Sequence, residues 1–576
     1  MRGLITDEKS ISTKKSSLLK HVVALAAVVS VAYLTFNNWP YDVRTAQYDD
    51  KACPMHPIRA PESFVKDNTT ALNILYDEDF RLGSVKKLSG AVQIDTQVFD
   101  DPPQVDDKPE YWKKFAKFHE YLEKTFPTVY DKLEVVKVNT YGLVFIWKGS
   151  DESLKPVMLC AHQDVVPIQK DTLDDWSYPP LEGHYDGEKV FGRGSSDCKN
   201  VLIAILESLE LLIAKDYKPE RGIIAALGFD EEVSGKKGAL EISKYLEERF
   251  GQDSIYSILD EGTGISKEPN TGLIVAGPAV AEKGYVTINA KLKTKGGHAS
   301  IPPDHTSIGI ASELVYLLEE NPFKPVLSTK NPTLEYLQCL AKYGGDAFPP
   351  SLARDILRAG YDKVSNSKVI QFLLNLPSPL FRYLIQTSQA VDIIRGGEKE
   401  NALPEFTEIF VNHRIAVESS VKEVVDRFVE ITKIVAKKHN LAVNLDGESV
   451  VGQEGTVGVF NIGVVDTTLE PSPVAPTTDK VWEYLAGASR HLVEDLIYPG
   501  LETPVIMAPS LMPANTDTRH YHKICGNVFR YTPALDPELL HNAHSVDEYI
   551  PVASHLHLVA FFYEYLQIVN TKDAGN

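Results

Sequence analysis

Cysteine is scarce in this chain: Cys53, Cys160, Cys198, Cys339 and Cys525 are the five in 576 residues, and no two form a CxxC pair. That spacing excludes a zinc finger and a dense disulfide framework, and the odd count leaves at least one thiol free or open to another chain. Basic charge is also short, with 59 Lys and Arg against 79 Asp and Glu, a formal net charge of −20. A surface this acidic repels phosphate, which argues against nucleic-acid binding. Internal repeats and low-complexity tracts are absent, so solenoids and disordered arrays drop out. What remains is ordinary globular material, 43% apolar and 24% charged, long enough for two or more domains.

One targeting signal stands out. Residues 22–36 form an unbroken run of apolar and small residues, preceded by Lys14, Lys15, Leu18, Leu19 and Lys20. A membrane span needs roughly 20 residues, so the run is short for a span and about right for a signal-peptide core. No small-x-small cleavage site follows; the chain continues Asn37-Asn38-Trp39-Pro40. An uncleaved signal-anchor is therefore preferred over a cleaved signal. The lysines put the N-terminus in the cytoplasm and the rest in the lumen. Asn68-Thr69-Thr70 is a glycosylation sequon on the lumenal side.

The expected organisation is a cytoplasmic tail at 1–20, a signal-anchor helix at 21–37 and a lumenal stalk at 38–70. A catalytic domain over 71–282 and 466–576 is interrupted by a smaller α+β domain at 283–465. Helical periodicity is first seen near Pro109, where Tyr111, Trp112, Phe115 and Phe118 recur. Short apolar runs at 143–147, 156–160, 222–229 and 255–259 read as buried strands, and 200–214 and 236–250 as helices. That alternation predicts an α/β fold with a mixed, largely parallel sheet covered by helices on both faces. Residues 284–292 and 406–415 instead alternate with period two, as half-exposed strands do. Residues 420–439 form an amphipathic helix, and 321–400 carry no readable periodicity.

Acids and histidines follow the predicted buried strands, where open α/β sheets bind their ligands. His162-x-Asp164 comes after the first; an imidazole suits a metal, and a carboxylate two residues on can fix its tautomer. Asp197 precedes the 200–214 helix, Glu231-Glu232 follow the strand ending near Phe229, and Asp260-Glu261 follow Leu259. His544 lies in His541-Asn542-Ala543-His544 before the last helix. Each has an ordinary explanation alone: a surface pair, a helix-start acid, a solvated turn, a loop acid, a capping histidine. Together, two histidines and three carboxylates, one of them bridging, are what two borderline-hard divalent ions need.

The strings CAHQDVVP, DDWSYPPLEGHYDGEKVFGRGSSDCK, DEEVSGKKGA, LDEG and HSVDEY resemble those of the co-catalytic zinc hydrolases that include aminoacylase, carnosinase and bacterial glutamate carboxypeptidase. With the N-terminal anchor, the chain is most similar to the fungal vacuolar Gly-Xaa carboxypeptidases of that family. The resemblance spans about residues 75–570. It implies a di-zinc exopeptidase domain with an inserted lid and dimerisation domain, holding two zinc ions per chain. Asp197 would bridge the zincs, His162 and Asp260 complete one site, and Glu232 and His544 the other. Glu261 is the alternative to Asp260, and His541 a weaker competitor of His544. Asp164 would orient His162, and Glu231 would be the general base for a zinc-activated water. In the lid, His298 of Gly296-Gly297-His298-Ala299-Ser300 would stabilise the oxyanion, often in a partner subunit's site. Asn401 and Arg414 would hold the substrate carboxylate, and the Thr516–Arg519 loop would lie near the substrate with roles undivided. The implied activity is removal of the C-terminal residue from short peptides, with N-acyl-amino-acid hydrolysis as the alternative and an inactive binding or sorting scaffold as a remote one. The implied setting is the vacuole, with a type II membrane anchor, a homodimer through the lid, and ubiquitin on Lys9, Lys14, Lys15 and Lys20.

Overall fold

The computed structural model describes residues 52–452, 456–465, 468–536, 538 and 541–576. The expected tail and signal-anchor lie outside the described residues. Among those described, no helix is long and apolar enough to cross a membrane.

Two sheets organise the chain. The larger has ten strands, and at its centre Ile223–Gly228, Val157–His162, Ile258–Lys267 and Val528–Leu535 run parallel in that order. Gly142–Trp147 and Glu134–Val138 extend one side antiparallel. Ile223–Gly228 and Val157–His162 are buried along their whole length, the pattern of strands covered on both faces. Helices Lys199–Ala214 and Val552–Ile568 pack together on one face, and Ala239–Phe250 covers the other.

The smaller sheet has six strands, all drawn from residues 284–464: Gly284–Thr294 pairs with Phe406–Ile415 and Gly458–Val464. Burial alternates along Gly284–Thr294 because one face carries helices Ser307–Glu320 and Val421–Lys438 and the other does not. Ser420 caps the second of these by accepting from Glu423 N, and Lys437 and Lys438 sit at its negative end.

Three features depart from the sequence expectations. Residues 321–400 contain four helices, Pro332–Tyr343, Pro350–Arg358, Lys363–Leu374 and Pro379–Tyr383, around a core of their own. Their periodicity is hidden by short lengths and by proline at each start bar one. Helices also begin well before Pro109, at Glu62–Lys66, Thr69–Tyr76 and Glu78–Val92. The last part of the expected stalk is docked on the body: Cys53 forms a disulfide with Cys339, and Arg59 pairs with Glu483. Cys160, Cys198 and Cys525 are free and buried.

Candidate metal centre

The C-terminal edge of the parallel strands brings five polar side chains together. His162 ends its strand; its Nε2 lies 2.9 Å from Asp197 Oδ1 and 3.5 Å from Glu261 Oε1. From the other side, His544 Nε2 lies 3.0 Å from Asp197 Oδ2 and 3.2 Å from Glu232 Oε2. Asp197 thus offers one oxygen to each histidine. Two half-sites result: His162, Asp197 and Glu261, then His544, Asp197 and Glu232.

Glu261 rather than Asp260 joins this ring. The strand does not stop at Leu259 but continues to Lys267, so adjacent side chains take opposite sides. Asp260 pairs with Arg530 and Thr263 with Tyr531, leaving Glu261 and Gly262 unpaired in a bulge, a common device for re-aiming a side chain. A Cβ on Gly262 would come within 2.5 Å of the Arg530 backbone, so this close crossing requires glycine. Asp260 instead shares a buried environment with Glu282 and Arg530, and burial pushes its carboxyl up to about 6.

Asp164 organises the ring from beneath. Its Oδ1 lies 3.3 Å from His162 Nδ1, and its carboxylate accepts from the backbone N–H groups of Glu231 and Glu232 at 3.2 and 3.0 Å. The Asp230-Glu231-Glu232 triplet does not face water. Asp230 turns inward to accept from Lys237 N and Gly238 N, both at 2.7 Å, closing the loop that follows. Glu231, also buried, pairs with Arg519 Nη2 at 2.9 Å.

Glu548, which sequence reasoning passed over, fixes Asp197. Its Oε1 accepts from the backbone N–H groups of Gly194, Ser196 and Asp197 at 3.0 to 3.1 Å, while Oε2 pairs with Arg193 at 2.5 Å. The signal was available: a glycine-rich turn at 192–196 exposes N–H groups that need an acceptor. His541 is occupied elsewhere, 3.0 Å from Asp536.

The electrostatics of the ring call for cations. Burial, then the charge of Asp197, pushes Glu232 up to about 7 and Glu261 up to about 8. His544, hydrogen-bonded to Asp197 and Glu232, is pushed up to about 11. Glu232 Oε1 is buried with no partner. Ligand atoms of His162, Asp197 and Glu232 all lie within 4.8 Å of one another. A divalent pair would replace the protons that otherwise balance these carboxylates, so the residues present fit two such ions. Cys198 also lies near His162 and Glu261, but burial and Glu261 push its thiol well up, which disfavours the thiolate a metal needs. A cavity of about 390 Å³ opens from this ring, with Asn515 and Met512 at one part of its wall and Ile265, Ile550 and Leu558 at another.

The lid residues divide. Arg414 reaches the catalytic body, donating from Nη1 to Asn515 Oδ1 at 2.9 Å. His298 lies on the antiparallel pair of Gly297–His298 with Ala402–Leu403 and Asn401 just before its second strand; both are exposed and do not line the cavity. His298 Nδ1 accepts from Ser300 N and lies 2.7 Å from Ser300 Oγ.

A carboxylate bridging two histidine-bearing half-sites at the mouth of a parallel sheet defines a dinuclear metallohydrolase. The sequence pattern of Peptidase family M20/M25/M40 matches residues 158–568, and the chain belongs to that family. It is 43% identical to carboxypeptidase S of Saccharomyces cerevisiae, with 98% of each chain covered. It is 31% identical to the N-fatty-acyl-amino acid synthase/hydrolase PM20D1 of Mus musculus, over 86% of this chain and 90% of that one. Among solved structures, an M20 family metallo-carboxypeptidase from Sulfolobus solfataricus superposes with a TM-score of 0.54 at 13% identity, covering 84% of this chain and 99% of that one.

Proposed function

We infer that this chain is a metallo-carboxypeptidase that removes the C-terminal residue from short peptides of the Gly-Xaa type. The observation that carries this is the ring in which Asp197 gives one oxygen to each of two histidines, beside a buried glutamate and an arginine with no carboxylate partner among the described residues. Full-length similarity to carboxypeptidase S supports the carboxypeptidase activity.

His162, Asp197 and Glu261 would hold one ion and His544, Asp197 and Glu232 the other; we propose zinc for both, and Glu261 in place of Asp260. When bound, the pair would polarise the scissile carbonyl and acidify the attacking water. Glu231 takes the water's proton and delivers it to the leaving nitrogen. Its burial suits that task, pushing the carboxyl well above the ordinary range against the opposing charge of Arg519. Asp164 keeps His162 oriented, and Glu548 keeps Asp197 between the two histidines. Arg414, whose guanidinium has no carboxylate partner among the described residues, holds the substrate's terminal carboxylate, and Asn401, exposed with His298 on the lid, would reach it from a partner subunit.

His298 would act on the oxyanion of a partner subunit's site. The exposed lid edge strand Ala390–Gly396, with Ile393 and Ile394 facing out, supports a lid-mediated homodimer. The Cys53–Cys339 disulfide supports passage through an oxidising compartment, in keeping with a vacuolar enzyme carried on an N-terminal anchor at 21–37. Ubiquitin on Lys9, Lys14, Lys15 and Lys20 would direct that sorting; delivery of an all-arginine tail variant would overturn it.

The deciding assay uses the full chain with added zinc on a blocked Gly-Leu dipeptide, N-acetyl-leucine and N-oleoyl-leucine, with and without chelator. Chelator-sensitive cleavage of the dipeptide is expected to dominate. Preference for the acyl-leucines would instead make the chain an N-acyl-amino-acid hydrolase, the alternative to which the similarity to PM20D1 points.

A further inference from the structure

Arg519 is held at two points only. Its Nε donates to Thr516 O at 2.7 Å and its Nη2 meets Glu231 Oε1 at 2.9 Å, while Nη1 has no protein partner among the described residues. It belongs to a corner rich in positive charge. Arg414, 4.8 Å from the Tyr285 ring centre, lies near enough to feel the field of Arg519: burial most disfavours the Arg414 charge, Tyr285 opposes this, and Arg519 disfavours it further. Lys283 is buried in the same corner, donating to the carbonyls of Tyr383 and Gln386 at 2.8 and 2.7 Å. Burial, then Arg414, pushes Lys283 down to about 8, with Glu418 opposing. Asn515 ties the corner together: its Oδ1 takes Arg414 and its Nδ2 donates to Lys283 O at 2.7 Å. Of these three cations, Arg519 alone has a carboxylate in an ion pair among the described residues, and that carboxylate is Glu231. Like charges brought together out of water repel, and a small anion between them removes the cost.

We propose that Arg519 is a second reader of the substrate's terminal carboxylate, taking it on Nη1 while Nη2 keeps hold of Glu231. This rests on the carboxypeptidase activity proposed for the site and specifies how the free carboxylate is recognised. The covalent geometry of the substrate requires such a neighbour. In a C-terminal residue the leaving nitrogen and the carboxylate carbon are separated by one Cα, about 2.5 Å apart. Glu231 must reach that nitrogen to protonate it, so the terminal carboxylate comes to rest beside Glu231. Two anions that close need a cation between them, and the planar fork of a guanidinium serves both at once. Arg414 approaches from the lid and Arg519 from the catalytic body, so one carboxylate bridges the two domains. Substrates with a free α-carboxylate are the class selected; C-terminal amides are rejected.

The test compares a blocked Gly-Leu acid with its C-terminal amide on the zinc-loaded enzyme, as wild type, Arg519→Met and Arg519→Lys. Any effect on Glu231 alone falls on both substrates and cancels in the acid-to-amide ratio of kcat/KM. The ratio is expected to fall about 10- to 100-fold in Arg519→Met, the loss of one charge-assisted hydrogen bond, with Arg519→Lys between the two. Calorimetry of the metal-free protein with leucine and leucinamide gives a readout independent of turnover: wild type prefers leucine, and Arg519→Met loses that preference. A ratio and a leucine preference both unchanged in a folded Arg519→Met overturns the proposal and leaves Arg519 serving Glu231 alone. Equal cleavage of acid and amide by wild type defeats the carboxypeptidase activity itself, and the proposal falls with it.

Discussion

The two sheets solve the same problem differently. The central strands of the ten-stranded sheet are buried on both faces, and the side chains of its site sit at an edge where strands end or bulge. His162, the Glu231-Glu232 turn and the Glu261 bulge all sit at one such edge, and the ring they form is complete within this chain. The six-stranded sheet carries helices on one face only, and the lid also holds a separate two-stranded pair, Gly297–His298 with Ala402–Leu403. His298, on that pair, and Asn401, beside it, remain exposed and do not line the cavity. The doubly covered sheet concentrates chemistry at a rim; the lid presents its polar groups for completion by substrate or by a second subunit.

This contrast is sharpest at the bridging residue. Asp197→Asn is expected to abolish activity and to lose both ions together, read as metal content after gel filtration; loss of one ion alone would break the two-half-site description. Glu231→Gln comes next, with a rate loss of about 10² to 10⁴ and metal content intact. Wild-type turnover by that variant would remove Glu231 from the proton-transfer role. Glu261→Gln should weaken one ion far more than Asp260→Asn does, and equal effects would return the ligand role to Asp260. On the lid side, His298→Ala and Glu231→Gln are each expected to be nearly inactive alone. Mixed and refolded together, they should recover up to about a quarter of wild-type activity if each lid of a dimer supplies His298 to its partner's site. No recovery would confine His298 to its own chain.

The smallest expected effect concerns stability away from the rim. His491 lies between Asp495 at 2.7 Å and Glu564 at 3.2 Å; burial alone would lower it, but the two carboxylates raise it above the ordinary value of 6.5. Because the folded state holds the proton more tightly, this stabilisation is full below that value and fades as pH rises through the folded one. His491→Asn should therefore cost about 1–2 kcal/mol at pH 5 and less at pH 8, measured by denaturant midpoints. An equal cost at both would show that packing, not charge, dominates there.

Much of the rim was legible because a metal ring requires particular side chains, and those follow strands whose apolar runs are unmistakable. Its finer parts were not. Choosing Glu261 over Asp260 depends on a bulge and on where the strand ends, both set by pairing with Arg530 and Tyr531, which are some 270 residues away in sequence. Glu548 and Arg519 act through partners equally remote, Gly194 and Glu231. The helices of 321–400 escaped notice because short, proline-started helices carry too few turns for a period to emerge. Their stability comes from tertiary packing rather than from local propensity.

The Cys53–Cys339 bond has a mechanical consequence. Any pull exerted through the N-terminus enters the described structure at Cys53, nine residues before the first helix there, Glu62–Lys66. The covalent link passes that load straight to helix Pro332–Tyr343, which is seated against the edge of the large sheet beside Leu273, Val275 and Ile506. Tension is thereby shunted past the small helices at 62–76, which would otherwise peel away one after another. With the bond reduced, the same force would act on the Arg59–Glu483 pair and then on those helices, so a chain tethered by its N-terminus would fray from that end first.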